Sequence, residues 1–455
     1  MLIFINSKKL RTLNKLNKAI FAMLCALIFW LPIPLGSYRV WAIMFFGFLV
    51  SCTFILHLVN CAYSKQAIFP KKSSWPLFGA LLAVLCVLAI QLLPTRFQSI
   101  DPNQTSVMLL KTITMLQFAW LILFYVNSKN RIKTFIYWLI AAGVCQALYG
   151  SYLVLTQAPH SLVFDYPYDS RAMGSFTYQN FLANYLAMCM AMGIGLLISE
   201  LKTHNHKQSF KNFIRNFFES ILSNKIIIRL CLILIITCLI LTKSRMGNVA
   251  FFMALGITSL FALFYYKERP YNLKIIIVSF FILDLIIIGS MFGVEKVRER
   301  IVNTSFVEET RDEVLLSSIS LILDKPFLGS GGGSFYTAYP AYQNELMLGH
   351  YDNAHNDYIQ FSVELGIPLT IVLGLLLFYS LFISCKIMIS SLSKTSKGIA
   401  FGGSIAILMM LIHSSVDYSL QSGANSMTFI AIIALLFVAY ELSTNSKVIK
   451  NRKYL

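Results

Sequence analysis

Charge is scarce in this chain. Asp, Glu, Lys and Arg make up 13% of its 455 residues, against 57% apolar residues and a mean hydropathy of +0.68. That balance excludes an ordinary soluble globular protein. Cysteine is missing from the segments between the apolar runs: all nine lie in those runs or at their ends, and no Cys-x-x-Cys pair occurs. A structural disulfide is not expected and no cysteine metal site is on offer, so these read as small packing residues. The one glycine-rich run is not followed by Gly-Lys-Ser/Thr, so a nucleotide phosphate loop is excluded. The net charge of +18 has no soluble basic domain to carry it, which excludes a nucleic-acid footprint.

What is present is a series of long apolar runs. Each is about 20 residues, enough to cross a hydrocarbon core of about 30 Å as a helix. Twelve are expected: 19–35, 40–61, 75–93, 107–126, 134–157, 176–200, 226–242, 247–266, 275–294, 362–385, 398–413 and 427–442. The first follows a basic stretch but no small-x-small cleavage site comes after it, so it reads as an uncleaved span. The expected fold is all-α: a single polytopic membrane bundle over 1–455 with about 12 transmembrane helices. A large, partly helical loop at 295–361 separates spans nine and ten.

Lysine and arginine orient the bundle. With both termini cytoplasmic, 26 of the 38 basic residues fall on that side and 10 on the other. Lys111 and Arg229 lie inside spans. A cytoplasmic excess of basic residues is the topology rule, and beside an anionic inner leaflet it accounts for the net charge. Most acids go the other way: Asp101, Asp165, Asp169, Asp357, Glu364 and Asp417 are all expected outside.

Two segments outside the spans carry a pattern. In Ser209–Asn224, Phe210, Phe213, Ile214, Phe217, Phe218, Ile221 and Leu222 recur at helical spacing opposite Lys211, Arg215 and Glu219. That predicts an interfacial amphipathic helix. In the outside loop, Thr310-x-x-Glu313 reads as a capping box ahead of an apolar stripe, with the helix ending before Pro326. Next come Gly329-Ser330-Gly331-Gly332-Gly333-Ser334 and a tyrosine-rich run that ends in Gly349-His350-Tyr351-Asp352-Asn353-Ala354-His355-Asn356-Asp357. The glycines predict a tight turn where backbone meets backbone, or a cradle of N–H groups for a pyrophosphate. The tyrosines fit either packing or stacking on a sugar ring.

Arginines are few on the outside, which makes them informative. Arg39, Arg96, Arg171 and Arg245 each lie near a span end, and Arg311 is on the loop helix. Snorkelling to lipid phosphates is one explanation. Convergence on one cavity is the other, and arginine is the side chain suited to bidentate phosphate contact.

These residues carry a family resemblance. His355-Asn356, followed after nine residues by Gly366, resembles the signature of bacterial O-antigen ligases and the related O-antigen polymerases. Pro32-Ile33-Pro34-Leu35-Gly36 with Arg39 and Trp41 is similar to the family's opening segment. Arg171, Gly174, Ser175, Phe176, Asn180 and Ala183 resemble the element before the sixth span, and Ser244-Arg245-x-Gly247 resembles a Ser-Arg-Gly element. Arg311 and the stretch from Asp324-x-Pro326 to Phe335 resemble the start of the catalytic loop. His413-Ser414-x-x-Asp417-Tyr418 is similar to a late motif. Two positions depart from the pattern: Leu369 stands where Gly, Thr or Tyr is usual, and Gln179-Asn180-Phe181 lacks a histidine after the asparagine.

The resemblance implies an enzyme of the bacterial inner membrane working on its periplasmic face. It would transfer a glycan from undecaprenyl pyrophosphate to a sugar hydroxyl on lipid A core or another glycoconjugate. His355 becomes the catalytic base, since histidine is tuned to work near neutral pH. Arg245, Arg311, Arg171 and Arg39 become contacts to the phosphates, with Asn356, His350 and His413 as further substrate-binding groups. No cofactor and no metal are expected; Asp352 and Asp357 flank His355 but lack the ligand density of a cation site. The expected partners are the lipid-linked donor, the glycan acceptor and the bilayer, with no nucleic acid. The alternative within the family is a polymerase joining lipid-linked repeat units. Outside it, twelve spans also suit a solute transporter. Against that reading, Tyr63–Pro70 lacks an Asp-Arg-rich signature, and Lys111, Arg229 and Asp284 are too few for a coupled relay.

Overall fold

The computed structural model describes residues 7–64, 68–168, 170–200, 224–266, 306–343 and 349–452. It is an all-α polytopic membrane bundle, with no strand among the described residues. In chain order the helices are α1 (Ser7–Trp30), α2 (Val40–Ser64), α3 (Trp75–Leu92), α4 (Pro102–Tyr125), α5 (Lys129–Thr156), α6 (Gln179–Ser199) and α7 (Asn224–Leu241). They continue with α8 (Arg245–Tyr265), α9 (Phe306–Asp324), the single turn α10 (Phe335–Ala338), α11 (Asp357–Leu365), α12 (Ile367–Ser390), α13 (Lys394–His413) and α14 (Gly423–Arg452).

Local chemistry starts several of these where they start. Asp101 accepts the Gln104 N–H ahead of Pro102 at the head of α4, and Ser128 accepts the Arg131 N–H at α5. Ser393 caps α13 in the same way through Ser396.

Side-chain ties sort the helix ends into two groups. At one end Asn60 donates to Asn17, Lys71 pairs with Glu441 at 2.9 Å, Lys133 pairs with Glu200 at 3.1 Å, and Tyr266 donates to the Lys397 carbonyl. At the other, Ser175 donates to the Pro32 carbonyl, Ser422 to that of Gly36, and Gln91 to that of Glu364. Consecutive spans therefore run in alternating directions. The centre of the bundle is the α6–α13 pair. Gly195 faces the Gly398 backbone and Gly402 the Ala191 carbonyl, so that no Cβ would fit between them. Small residues are what let two membrane helices approach this closely.

Among the described residues, ten helices are long and apolar enough to span a membrane. The expected run at 226–242 forms α7, whose apolar part, Ile226–Leu241, is shorter than the other ten. The run at 275–294 lies outside the described residues, as do 209–223 of the expected interfacial helix. The run at 362–385 is divided. Gly366, at φ 83°, ends α11, and the spanning helix begins at Ile367, whose N–H bonds the Pro326 carbonyl. The loop helix α9, described from Phe306, already includes the expected cap Thr310, and it ends at Asp324 before Pro326 as the sequence predicts.

The loop residues have a core of their own. Val314, Leu321 and Ile322 of α9 bury themselves with Phe335, Ala338, Tyr339, Ala354 and Val363. This small core lies at the Ser422 end of the bundle and holds α11 in place.

Candidate functional site

The site is built on α11, the short helix that follows His355. Asn356 is its N-cap: the amide oxygen accepts from the N–H groups of Tyr358 and Ile359 at 3.0 and 3.2 Å. The amide nitrogen donates to the Ser415 carbonyl at 2.8 Å, tying the helix to the turn after α13. His355, one residue earlier, is held in the left-handed region at φ 50°. A non-glycine residue there carries strain, and such strain collects at functional positions.

An aromatic wall stands beside His355. Its ring meets Tyr418 edge-on at 4.7 Å. Tyr418 stacks on Tyr178 at 5.9 Å and meets Phe181 at 5.3 Å, and Phe181 in turn reaches Tyr38 at 5.3 Å. These rings come from three distant segments, all carrying motif residues. Burial, with the Tyr178 and Tyr38 phenols and then Asp417 and Asp352 nearby, holds the Tyr418 hydroxyl well above the usual tyrosine range. It stays protonated and able to donate a hydrogen bond.

Below the wall a cavity of about 630 Å³ opens between α3, α4, α12 and α14. Its deeper walls are hydrocarbon, with Leu81, Val84, Leu373, Leu377, Phe429 and Ile430 among them. Its rim is polar, with Tyr38, Arg39, Asp352 and Asn353. Three ionisable groups also line it: Lys111, Asp357 and Glu364.

Both acids are only 1% exposed. Asp357 Oδ2 accepts from the Ser414 hydroxyl at 2.9 Å and the Leu420 N–H at 3.2 Å, while Oδ1 makes no hydrogen bond. Burial pushes this carboxyl up to about 8 against the help of those donors, with the Asp417 charge adding to the rise. Glu364 Oε1 accepts from Gln360 at 2.6 Å, and Oε2 makes no direct hydrogen bond. Burial raises Glu364 to about 7, offset in part by the Gly333 N–H, Gln360, the Phe335 N–H and the Lys111 charge.

The glycine run turns out to be scaffold. Ser330 and Gly331 give their N–H groups to the Val363 and Glu364 carbonyls, and Gly332 gives its own to the Gln91 side chain. Gly329, at φ 71°, packs its α-carbon against the Glu364 backbone where a Cβ would collide. The backbone-to-backbone reading holds, and the pyrophosphate cradle does not, because those N–H groups already have protein acceptors. The next groups along, at Gly333 and Phe335, face the Glu364 carboxyl.

Arg39 lines the cavity rim. Arg171 and Arg245 are exposed and do not line it, yet their segments meet, because the Ala172 N–H bonds the Leu241 carbonyl. Arg311 lies on α9, with its side chain outside the described residues. His350 is exposed. His413 is fully buried, with Nδ1 2.8 Å from the Asn184 amide and Nε2 3.6 Å from Asp417, so it lies beneath the site and not in the open cavity. No group of three or more His, Cys, Asp or Glu residues is arranged to hold a metal among the described residues.

Sequence patterns alone did not raise Lys111, Glu364, Tyr38 or Tyr418 as site residues. The available signal was a lysine in the middle of an apolar run, which in a membrane helix marks function or a buried partner.

Residues 230–374 match the model of a family described as O-antigen ligase. That stretch holds Arg245, Arg311, the glycine run, His355 and Asn356, and it supports placing the chain in the O-antigen ligase superfamily. No curated protein matches the chain.

Proposed function

With residues 230–374 placed in the family of O-antigen ligases, membrane enzymes that transfer glycans, we propose that this chain takes its glycan from undecaprenyl pyrophosphate and passes it to a sugar hydroxyl. The acceptor is lipid A core or another glycoconjugate, and the reaction takes place on the periplasmic face of the bacterial inner membrane. The observation that carries this reading is the amphipathic cavity. Its hydrocarbon walls suit a polyprenyl tail, and its polar rim at Asp352 and Asn353 is two residues from His355.

In the proposed step, an imidazole nitrogen of His355 takes the proton of the acceptor hydroxyl as its oxygen attacks the anomeric carbon. The bond from that carbon to the pyrophosphate oxygen breaks, and undecaprenyl pyrophosphate leaves as the anion. Fixed cations stabilise the charge developing on it, with Arg39 at the rim and Arg245, Arg171 and Arg311 from neighbouring segments. Tyr418 orients the imidazole through its ring edge. Asn356 acts through the cap that places His355, and His413 through the turn that Asn356 binds.

The test is deletion of the gene followed by gel analysis of extracted lipopolysaccharide, with complementation by wild type and by His355→Ala. Free lipid-linked polymer in the deletion strain identifies a ligase, and core bearing one repeat unit identifies a polymerase. Restored transfer by a membrane-inserted His355→Ala would remove His355 from the chemistry.

A further inference from the structure

Lys111 is a cation that no motif marks. It sits within α4 and is partly exposed; it lines the cavity. Its ammonium donates to the Gln421 carbonyl at 3.1 Å and the Leu420 carbonyl at 3.5 Å. An ammonium has three N–H donors, so one remains beyond these two. Among the described residues no ion pair joins it to a carboxylate. A lysine inside a membrane helix is costly, and where one persists it faces a cavity with work for it to do.

The two acids that face it do not cancel it. Asp357 and Glu364 are raised to about 8 and about 7, so near neutral pH they are ionised only in part. Arg39 adds a second positive charge at the rim, against Asp352. The polar end of the cavity therefore holds two basic side chains, Lys111 and Arg39, and its deeper walls are hydrocarbon. A ligand that matches both parts has an anionic head and a long apolar tail.

We propose that Lys111 is a positioning cation whose ammonium binds the phosphate group of a long-chain lipid phosphate seated in this cavity. The inference deepens the proposed function and rests on its lipid-linked donor for the nature of the tail. It adds to the motif arginines a cation on α4, inside the cavity that Arg171 and Arg245 do not line.

The experiment uses the purified full-length chain in detergent, with undecaprenyl monophosphate and undecaprenol as paired probes. Wild type should prefer the phosphate over the alcohol by about tenfold or more, the scale of one charge-assisted hydrogen bond. Lys111→Gln should abolish that preference, and Lys111→Arg should keep most of it. A purely packing role for Lys111 would not separate the two probes. An undiminished phosphate preference in Lys111→Gln overturns the proposal, as does wild type that binds both probes equally.

Should Lys111→Gln fail to fold, a photoreactive polyprenyl phosphate applied to wild type decides the matter. Crosslinks to the α4 or α11 peptides support the site, and crosslinks confined to α8 overturn it. Two further outcomes separate this site from the proposed function. Phosphate preference without glycan transfer keeps the site and sinks the transferase. Glycan transfer with unchanged KM in Lys111→Gln keeps the transferase and sinks the site.

Discussion

Asp357 accepts a hydrogen bond from Ser414 at 2.9 Å across 57 residues of sequence. Its own N–H bonds the Ser414 and Asp417 carbonyls at 2.9 and 3.1 Å. The helix that begins just after His355 is thereby fastened to the turn after α13, where Tyr418 presents its ring to His355. One buried carboxyl thus links the catalytic candidate, its aromatic neighbour and the cavity.

The raised carboxyls make stability depend on pH in a fixed direction. Asp357 moves from 3.8 unfolded to about 8, and Glu364 from 4.5 to about 7. Between those values the folded chain holds protons that the unfolded chain has released. Stability is then greatest below the unfolded values and falls as pH rises through the folded ones. The melting temperature of the purified protein in detergent should carry this fall between pH 5 and 9. Asp357→Asn mimics the protonated acid and still accepts from Ser414 and Leu420, so it should flatten the profile. An unchanged slope in the variant would clear Asp357 of the effect. Ser414→Ala, which strips one donor from the buried carboxyl, should cost about 1–3 kcal/mol at pH 7 in the same assay.

Much of the bundle was legible because membrane helices announce themselves by length and apolarity. Ten of the twelve expected runs are helices able to span. The break at Gly366 escaped, since hydropathy runs through a glycine at φ 83° without a signal. His355, Asn356 and Arg39 stood out through motif spacing. Lys111 and Glu364 did not, because burial and the facing of groups across 253 residues of sequence are properties of the fold. The glycine run left two readings open until the acceptors of its N–H groups were known.

Asn356 should prove to act through geometry. Asn356→Ala removes the cap on α11 and should cost about 1 kcal/mol of stability. It should also reduce kcat by more than it raises KM, because His355 loses its fixed position. Asn356→Asp keeps the capping oxygen and loses only the bond to the Ser415 carbonyl, so it should recover most of the stability. If Asn356→Ala instead raised KM with kcat unchanged, Asn356 would be a direct substrate contact, as its motif position suggests.

Gly329 should be intolerant of any side chain. A Cβ there meets the Glu364 backbone, and φ at 71° disfavours all other residues. Gly329→Ala should lower the melting temperature and weaken transfer together, by displacing the carbonyl of Glu364 and with it the acid that faces Lys111. Gly374→Ala is the control: Gly374 lines the cavity, and nothing stands within 4 Å of its added methyl group. Equal damage from both substitutions would mean that backbone contact at Gly329 is not what matters.

The two ends of the bundle differ in their basic residues. The Lys71–Glu441 end holds Lys133 and Lys397 as well, whereas the His355 end has Arg39, Arg171 and Arg245 beside a large share of the acids. The rule of basic residues inside then puts the His355 end outside. In a background with all nine cysteines replaced, Ala341→Cys sits at an exposed position on the 339–341 turn. It should react with a membrane-impermeant thiol reagent in cells whose outer membrane alone is permeabilised. Lys71→Cys, at a side chain 67% exposed, should react only after lysis. The reverse pattern would place the cavity rim in the cytoplasm, where nucleotide sugars are the available donors. Transfer from a lipid pyrophosphate on the periplasmic face would then have to be abandoned, while the Lys111 site could still be tested on its own terms.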